Sequence, residues 1–597
     1  MRVVKLESEE QLDNIIQLHN QTGADDENYF VVVDLETTGL NPFKDKIIDI
    51  QLSGFTEDEV YTAPGSFSSL LKGLSVRVVG HNLKFDVTFA HRHGVDLTHW
   101  KYHDTLLLGH LFDENRESNS LDSWIKQLYD DPYKEEFWKK YDSYETAPEA
   151  ERHEYGAKDI YYTGKLYRHL IASLASESVP ASLLDHVHSL QYSLLKTEIE
   201  GIKVDLPYLT DLGSNLKSKI ESVKPKMREL VLDWVDLIEM EAWEKEIGKR
   251  KTDKAKSGVQ RPEFSFDSSK QLINLLYDKL RLPKQVNAKT RNVSVDYDSL
   301  EALRGTHPVI GLIQEYRELG KVSGTYIDGT LERLVGERIY PQFNVHGTKG
   351  SRISHSNPNL GQLPKSGGIK GIYVPDEGQR FSDHDYGQLE VCIEAHYTQD
   401  KALLSIIHDG LSKHDITAQA LGIPRDTAKT VNFGMQYHCG PEKVAKIIGC
   451  SKADGLYAYN KYWERYAGVK AFKEKVTKMV DAGLPIVDLF GRKRRFEKKY
   501  RWEGSKEYRQ AYNFIIQSSG GQLMNNAFYK ADTLLRGRGT GKGLWTVHDS
   551  GLFSHIAEYC EEQANEINAI MVNEGKLIGL TVPLKVDFVA NTTRWED

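Results

Sequence analysis

Two apolar runs in this chain end in paired acids. In "VVVDLETTGL" (31–40) Asp34 and Glu36 close a valine-rich stretch, and in "RFSDHDYGQLEVCIEAH" (380–396) Asp383 and Asp385 do the same. Side chains alternate along a strand, so residues two apart share a face. Carboxylates held that close repel unless a positive charge lies between them. What that charge is becomes the first question about function.

More chemistry-bearing residues follow. "GHNLKFDVTFA" sets Asp86 at the start of a helix, and "YGAKDIYYTGKLYRHL" puts Tyr155 and Asp159 four apart on one helix face. "LWTVHDSGLFSH" (544–555) reads as a hairpin with His548 and Asp549 at its turn. In "IPRDTAKTVNFGMQYHCG" Pro424 suits a first helical turn, and Arg425, Lys429, Phe433 and Tyr437 recur every four residues. Two cations followed by two aromatics on one stripe suit a nucleotide: the cations hold a triphosphate and an aromatic stacks on base and sugar. A second stripe, Arg509, Asn513 and Gln517, could donate to the minor-groove acceptors that every correct base pair shows.

The elements that must position these residues divide the chain. Residues 1–185 alternate strands and helices; about 190–335 is helical and highly charged; 336–394 and 485–597 are mixed, with helical 400–480 between. The expected pattern is an α/β domain followed by a larger α+β body with two helical excursions. At 597 residues and 40% hydrophobic content the chain fills several cores. No apolar run is long enough to span a membrane, no signal peptide is apparent, and four scattered cysteines fit a reducing cytoplasm. Net charge is −9, yet "GRKRRFEKKYR" (491–501) and "KRKTDKAK" (249–256) are locally basic.

DLET, HNxxFD and YxxxD in this order resemble the tyrosine-containing DEDD 3′→5′ proofreading exonucleases, over nearly all of residues 25–185. The resemblance implies an RNase H-like domain in which Asp34, Glu36, Asp86 and Asp159 hold two Mg²⁺ ions (Mn²⁺ substituting), and Tyr155 orients the attacking water. The later segments resemble motifs A ("DYGQLE"), B (R-x3-K-x3-F-x3-Y) and C ("VHDS") of family A DNA polymerases. They are joined by "GTKGSRISHSNPNLGQLP", "ERYAGVKAF" and "PLKVDFVANTTRW", over roughly 190–597. That resemblance implies a right hand: exonuclease 1–189, thumb 190–335, palm 336–394 and 485–597, and fingers 395–484.

It further implies that Asp385 and Asp549 hold two catalytic Mg²⁺ ions, and that Arg425 and Lys429 bind the triphosphate, with Lys429 as proton donor to pyrophosphate. Phe433, Tyr437, Tyr386 and Gln388 would line the dNTP site, and Glu390 would block a ribose 2′-OH. Arg352, Asn359, Arg509, Asn513, Gln517 and His548 would contact primer-template DNA, and the basic clusters its backbone. Departures from the family pattern are Gly387, Cys392, Gly361, His438-Cys439 and Ser550, the last where motif C usually has Glu.

The expected partners are primer-template DNA, a single-stranded 3′ end and dNTPs, with no membrane, the protein acting as a monomer. Because the exonuclease begins almost at residue 1, with no 5′-nuclease domain before it, the plan resembles a bacteriophage replicase working in a host cytoplasm; a helicase or processivity partner is not legible. Two alternatives stand beside this: a single-subunit RNA polymerase, and a catalytically inactive DNA-binding replication factor.

Overall fold

The computed structural model describes all residues except 25, 27, 57, 251–257, 288, 365–366, 437–438, 497–505 and 596–597. The chain divides into two compact units. One comprises 1–202, 340–362 and 375–595; the other comprises 203–339 and 363–374.

The first unit opens with a six-stranded sheet: β1 (Arg2–Lys5), β2 (Phe30–Thr37), β3 (Ile47–Ser53), β4 (Glu59–Pro64), β5 (Arg77–Gly80) and β6 (Tyr102–Asp104). Their spatial order is β1-β4-β3-β2-β5-β6. Antiparallel pairs join β2, β3 and β4, and parallel pairs join β1 to β4 and β5 to β2 and β6. Helices α1 (Glu9–Ala24), α2 (Lys84–Arg92), α3 (Tyr133–Lys140), α4 (Glu149–Ser176) and α5 (Ala181–Glu200) accompany the sheet. Alternation along β2 sends Val31, Val33 and Leu35 into a core with Ile50, Leu52 and Val78 and leaves Asp34 and Glu36 half-buried on the other face. Gly156 lets α4 lie close to the sheet, since a Cβ there would stand 2.5 Å from the Gln51 side-chain amide. Leu195 and Ile199 of α5 complete this core, so the unit boundary falls at 202/203, beyond the expected 189/190 division.

The rest of this unit contains a four-stranded antiparallel sheet of β7 (Gln379–Gly387), β8 (Gly541–Val547), β9 (Ser550–Ile556) and β10 (Lys585–Thr592), in the order β8-β9-β7-β10. Its helices include α6 (Leu389–Thr398), α7 (Arg425–Gln436), α8 (Ala467–Asp481), α9 (Lys506–Arg538) and α10 (Cys560–Leu577). The second unit is mainly helical, with Val223, Met227, Val235, Leu276, Ile310 and Ile313 in its core. Asp205 caps its Leu206–Leu230 helix by accepting from the Tyr208 amide at 3.0 Å.

The basic segment 491–501 behaves differently from its expected role on a DNA backbone. Arg492 and Arg494 are buried. Arg495 pairs with Glu114 at 2.8 Å and also with Glu177, and Lys493 reaches Glu177 at 3.4 Å. Two acids of the first α/β segment, Glu114 and Glu177, thus engage Lys493 and Arg495 of this run. Residues 497–501, and 251–256 of the other cluster, lie outside the described residues. Among the described residues no helix is long and apolar enough to cross a membrane.

Candidate active sites

The six-stranded sheet and α4 bring the first acids together. Single oxygens of Asp34, Glu36 and Asp159 all lie within 4.8 Å of one another. Asp86, in the first turn of α2, is buried and accepts from the Leu35 amide at 3.0 Å, which ties it to the strand carrying the pair. Tyr155 and Asp159 are both buried on α4. Burial, then repulsion from Asp159, raises Asp34 to about 7. Burial, then Asp34 and Asp159, pushes Glu36 well above the usual carboxylate range, and burial with Asp34 does the same to Asp86. Glu36 Oε1 is buried without a hydrogen-bond partner. An all-oxygen donor set that resists ionising, one of its oxygens buried without a hydrogen-bond partner, fits hard divalent cations.

Helix α3 was not legible as part of this site. Lys134 Nζ reaches Asp159 Oδ2 at 2.5 Å and Tyr155 OH at 3.2 Å, and Trp138 Nε1 donates to Tyr155 OH at 3.3 Å. Tyr133 OH also donates to Asp159.

The second site is built at the end of the four-stranded sheet. Asp385, exposed on β7, lies in register between Ser550 on β9 and Asp587 on β10. Cross-strand partners share a face, so Asp587 is a third acid here that motif reading missed. The Tyr386 amide donates to the Asp549 carbonyl at 3.1 Å, fixing the β8–β9 turn beside Asp385; His548 in that turn is exposed with φ 58°. Asp383 accepts from Trp595 Nε1 at 2.8 Å. Tyr386 itself turns away: its side chain is buried and donates to the Met571 carbonyl, so it does not reach the expected nucleotide site. Cys392 is likewise buried, a core position rather than an Arg-like contact.

A cavity of about 350 Å³ joins these segments, lined among others by Arg352, Glu390, Phe433, Gln517, His548 and Asp549. Gln388 also lines it, and its amide bridges to the Leu411 carbonyl at 3.2 Å. Glu390 is held through both oxygens, by Arg352 at 2.9 Å and by Gln436 Nε2 at 3.1 Å. On α7 the expected stripe of Arg425, Lys429 and Phe433 is exposed, and Arg425 meets Asp415 at 2.8 Å. Phe433 packs obliquely on His414, with ring centres 5.8 Å apart. Tyr437 lies outside the described residues. On α9, Arg509, Asn513 and Gln517 are half-buried, and their spacing sets them as a seam along one face of the helix. Asn359 is exposed at the start of the short 360–362 turn.

Behind this face runs a buried ionic network. Glu394 on α6 pairs with Lys413 at 2.7 Å and accepts from Tyr512 OH at 2.6 Å. Lys473 on α8 donates to the Met435 and Gln436 carbonyls at 2.6 and 3.0 Å, capping the C-terminal end of α7. Burial lowers the Lys473 ammonium to about 7, against the opposing pull of Glu394. The glutamate within "EVCIEAH", a charge inside an apolar run, was the one sequence signal for this network.

Comparison with known proteins matches residues 238–597 to the DNA polymerase family A model and residues 3–175 to a 3'-5' exonuclease model. DNA polymerase I of Synechocystis sp. is 28% identical over 633 aligned residues, covering 97% of this chain and 60% of the relative. DNA polymerase I of Borreliella burgdorferi is 26% identical, covering 94% and 62%. The chain thus spans about three fifths of the length of these relatives. A solved structure, the POL domain of Pol1 from M. smegmatis in complex with DNA primer-template and dNTP, shares the fold at a TM-score of 0.81 and 20% identity, covering 99% of both chains.

Proposed function

Because this chain belongs to DNA polymerase family A and carries an N-terminal 3'-5' exonuclease domain, we propose that it extends a primer 3′ end with dNTPs on a DNA template and removes mispaired ends. The observation that supports this most is the cavity lined by Arg352, Glu390, Phe433, Gln517, His548 and Asp549, residues drawn from five separated segments. Bound Mg²⁺ or Mn²⁺ would activate the attacking oxygen and offset charge on the phosphate at each site.

In the polymerase site Asp385 and Asp549 hold the ions. Arg425 and Lys429 bind the triphosphate, with Lys429 able to protonate the leaving pyrophosphate. Phe433 packs on the sugar of the incoming nucleotide, Tyr437 guards the template-side pocket, and Glu390, braced on both oxygens, fills the space a ribose 2′-OH needs. Arg352, Asn359, Arg509, Asn513, Gln517 and His548 contact primer-template and the nascent pair; minor-groove donors there test pairing without reading sequence. In the exonuclease site Asp34, Glu36, Asp86 and Asp159 hold the ions, and Tyr155 orients the reacting groups.

The test is a 5′-labelled primer on a longer template with Mg²⁺ or Mn²⁺. Extension with four dNTPs and shortening without them are expected. Neither change with either ion would overturn the proposal, and preferred use of rNTPs would favour the RNA polymerase alternative.

A further inference from the structure

The Tyr155 phenol oxygen is already fully engaged as an acceptor. Lys134 Nζ, at 3.2 Å, and Trp138 Nε1, at 3.3 Å, are groups that only donate. A phenol oxygen with both acceptor positions filled keeps one remaining role, donation of its own proton. Lys134 simultaneously holds Asp159, and Tyr133 donates to the other oxygen of that carboxylate. Helix α3 therefore fixes both residues that α4 contributes to the site, through a lysine with only 19% of its side chain exposed.

From this hydrogen-bond arrangement we infer that Lys134, with Trp138, orients Tyr155 as a hydrogen-bond donor toward an anionic oxygen of the scissile phosphate. Lys134 is then a positioning residue of the exonuclease site. The inference rests on the exonuclease reading proposed above, and goes beyond it by assigning Tyr155 a donor role and Lys134 a part. Tyr155 in this state cannot take a proton from the attacking water.

The experiment uses the full chain and follows degradation of a single-stranded oligonucleotide without dNTPs, in wild type, Lys134→Ala, Tyr155→Phe and the double variant. Lys134→Ala should lower the rate at saturating DNA by about ten- to a hundredfold, the scale on which a preorganised donor acts, with the half-saturating DNA concentration nearly unchanged. In the Tyr155→Phe background the same change should cost clearly less than in wild type, the remainder being the lost Asp159 contact, because groups acting as a unit are not additive. Trp138→Phe, which keeps a ring but removes the indole donor, should give a smaller loss that is absent in Tyr155→Phe. Mn²⁺ titrated into the protein without DNA should bind about tenfold more tightly to Lys134→Ala, since the ammonium no longer opposes the ion. Primer extension by each variant should stay at the wild-type rate, showing that the chain is folded. Full additivity in the double variant, a wild-type rate in Lys134→Ala, or unchanged Mn²⁺ affinity would each overturn the inference. If wild type itself leaves the oligonucleotide intact, the exonuclease reading fails instead.

Discussion

Glu390 offers a graded test of the proposal that this site excludes ribonucleotides. Its carboxylate is pinned at both ends, by Arg352 at 2.9 Å and Gln436 at 3.1 Å, and its side chain is 27% exposed. The two braces differ in strength. The Arg352 pair is about one-third open to solvent, so its net worth is at most about 1 kcal/mol. Gln436 is only 9% exposed, and a buried hydrogen bond to a charged acceptor is worth about 1.5 kcal/mol. Replacing Gln436, which also lines the cavity, with leucine removes that brace while leaving the Glu390 carboxylate in place, and lowers the cost of pushing it aside by about the same amount. Since about 1.4 kcal/mol is tenfold in rate, Gln436→Leu should reduce discrimination between dGTP and rGTP by up to about tenfold. Glu390→Ala removes the obstruction altogether and should reduce it further. The assay is the ratio of single-turnover kcat/KM values for the two nucleotides, in an exonuclease-silent background. If Gln436→Leu keeps the wild-type ratio while Glu390→Ala lowers it, the brace has no part in selectivity. If both keep it, residue 390 does not face the sugar.

Phe433 lines the same cavity, and Phe433→Tyr adds a hydroxyl where a dideoxynucleotide lacks its own. The ratio of kcat/KM for ddTTP over dTTP should rise by one to two orders of magnitude, at about 1.5–3 kcal/mol for a polar contact near charged oxygens; an unchanged ratio would remove residues 425–437 from the nucleotide. Lys473 predicts a pH dependence. An unfolded lysine titrates near 10.4 while the folded one is lowered to about 7. The unfolded chain therefore binds more protons between these values: the penalty is fully present below pH 7 and is relieved as pH rises. Wild-type stability should gain up to about 1.4 kcal/mol per pH unit from this group, and Lys473→Met should lack the gain. The Tm of Lys473→Met relative to wild type should accordingly fall between pH 7 and 9; a constant difference would mean the lysine stays charged throughout. In the buried pair, Lys413→Met strands Glu394, and a loss of about 3–5 kcal/mol is expected by denaturation, against a much smaller loss for Lys413→Met combined with Glu394→Leu.

Local periodicity carried most of what the sequence showed. Asp34 with Glu36, Tyr155 with Asp159, and the Arg509–Asn513–Gln517 seam are all fixed by strand or helix spacing, and the structure sets each on one face. The same strand alternation that turns Asp385 outward sends Tyr386 into the core, which motif membership alone concealed. What remained illegible depends on distant chain segments. Arg495 meets Glu114, 381 residues away in sequence, an internal partner that the basic run itself does not announce. Lys134 and Trp138 sit on a short, charged helix whose pattern resembles any solvated surface, and only tertiary packing brings them to Tyr155. Gln436 and Lys473 matter through bonds to Glu390 and to the end of α7, relations that no spacing rule encodes.

Asp34 and Glu36 lie on β2 and Asp385 on β7, strands of different sheets, so the two proposed activities should be separable. One gel of a labelled primer-template tests it, run with and without dNTPs for wild type, Asp34→Ala with Glu36→Ala, and Asp549→Ala. The first variant should extend at close to the wild-type rate and fail to shorten the primer; Asp549→Ala should shorten it and fail to extend. Loss of both activities in either properly folded variant, or shortening by the Asp34→Ala, Glu36→Ala protein at the wild-type rate, would contradict two independent metal-dependent sites.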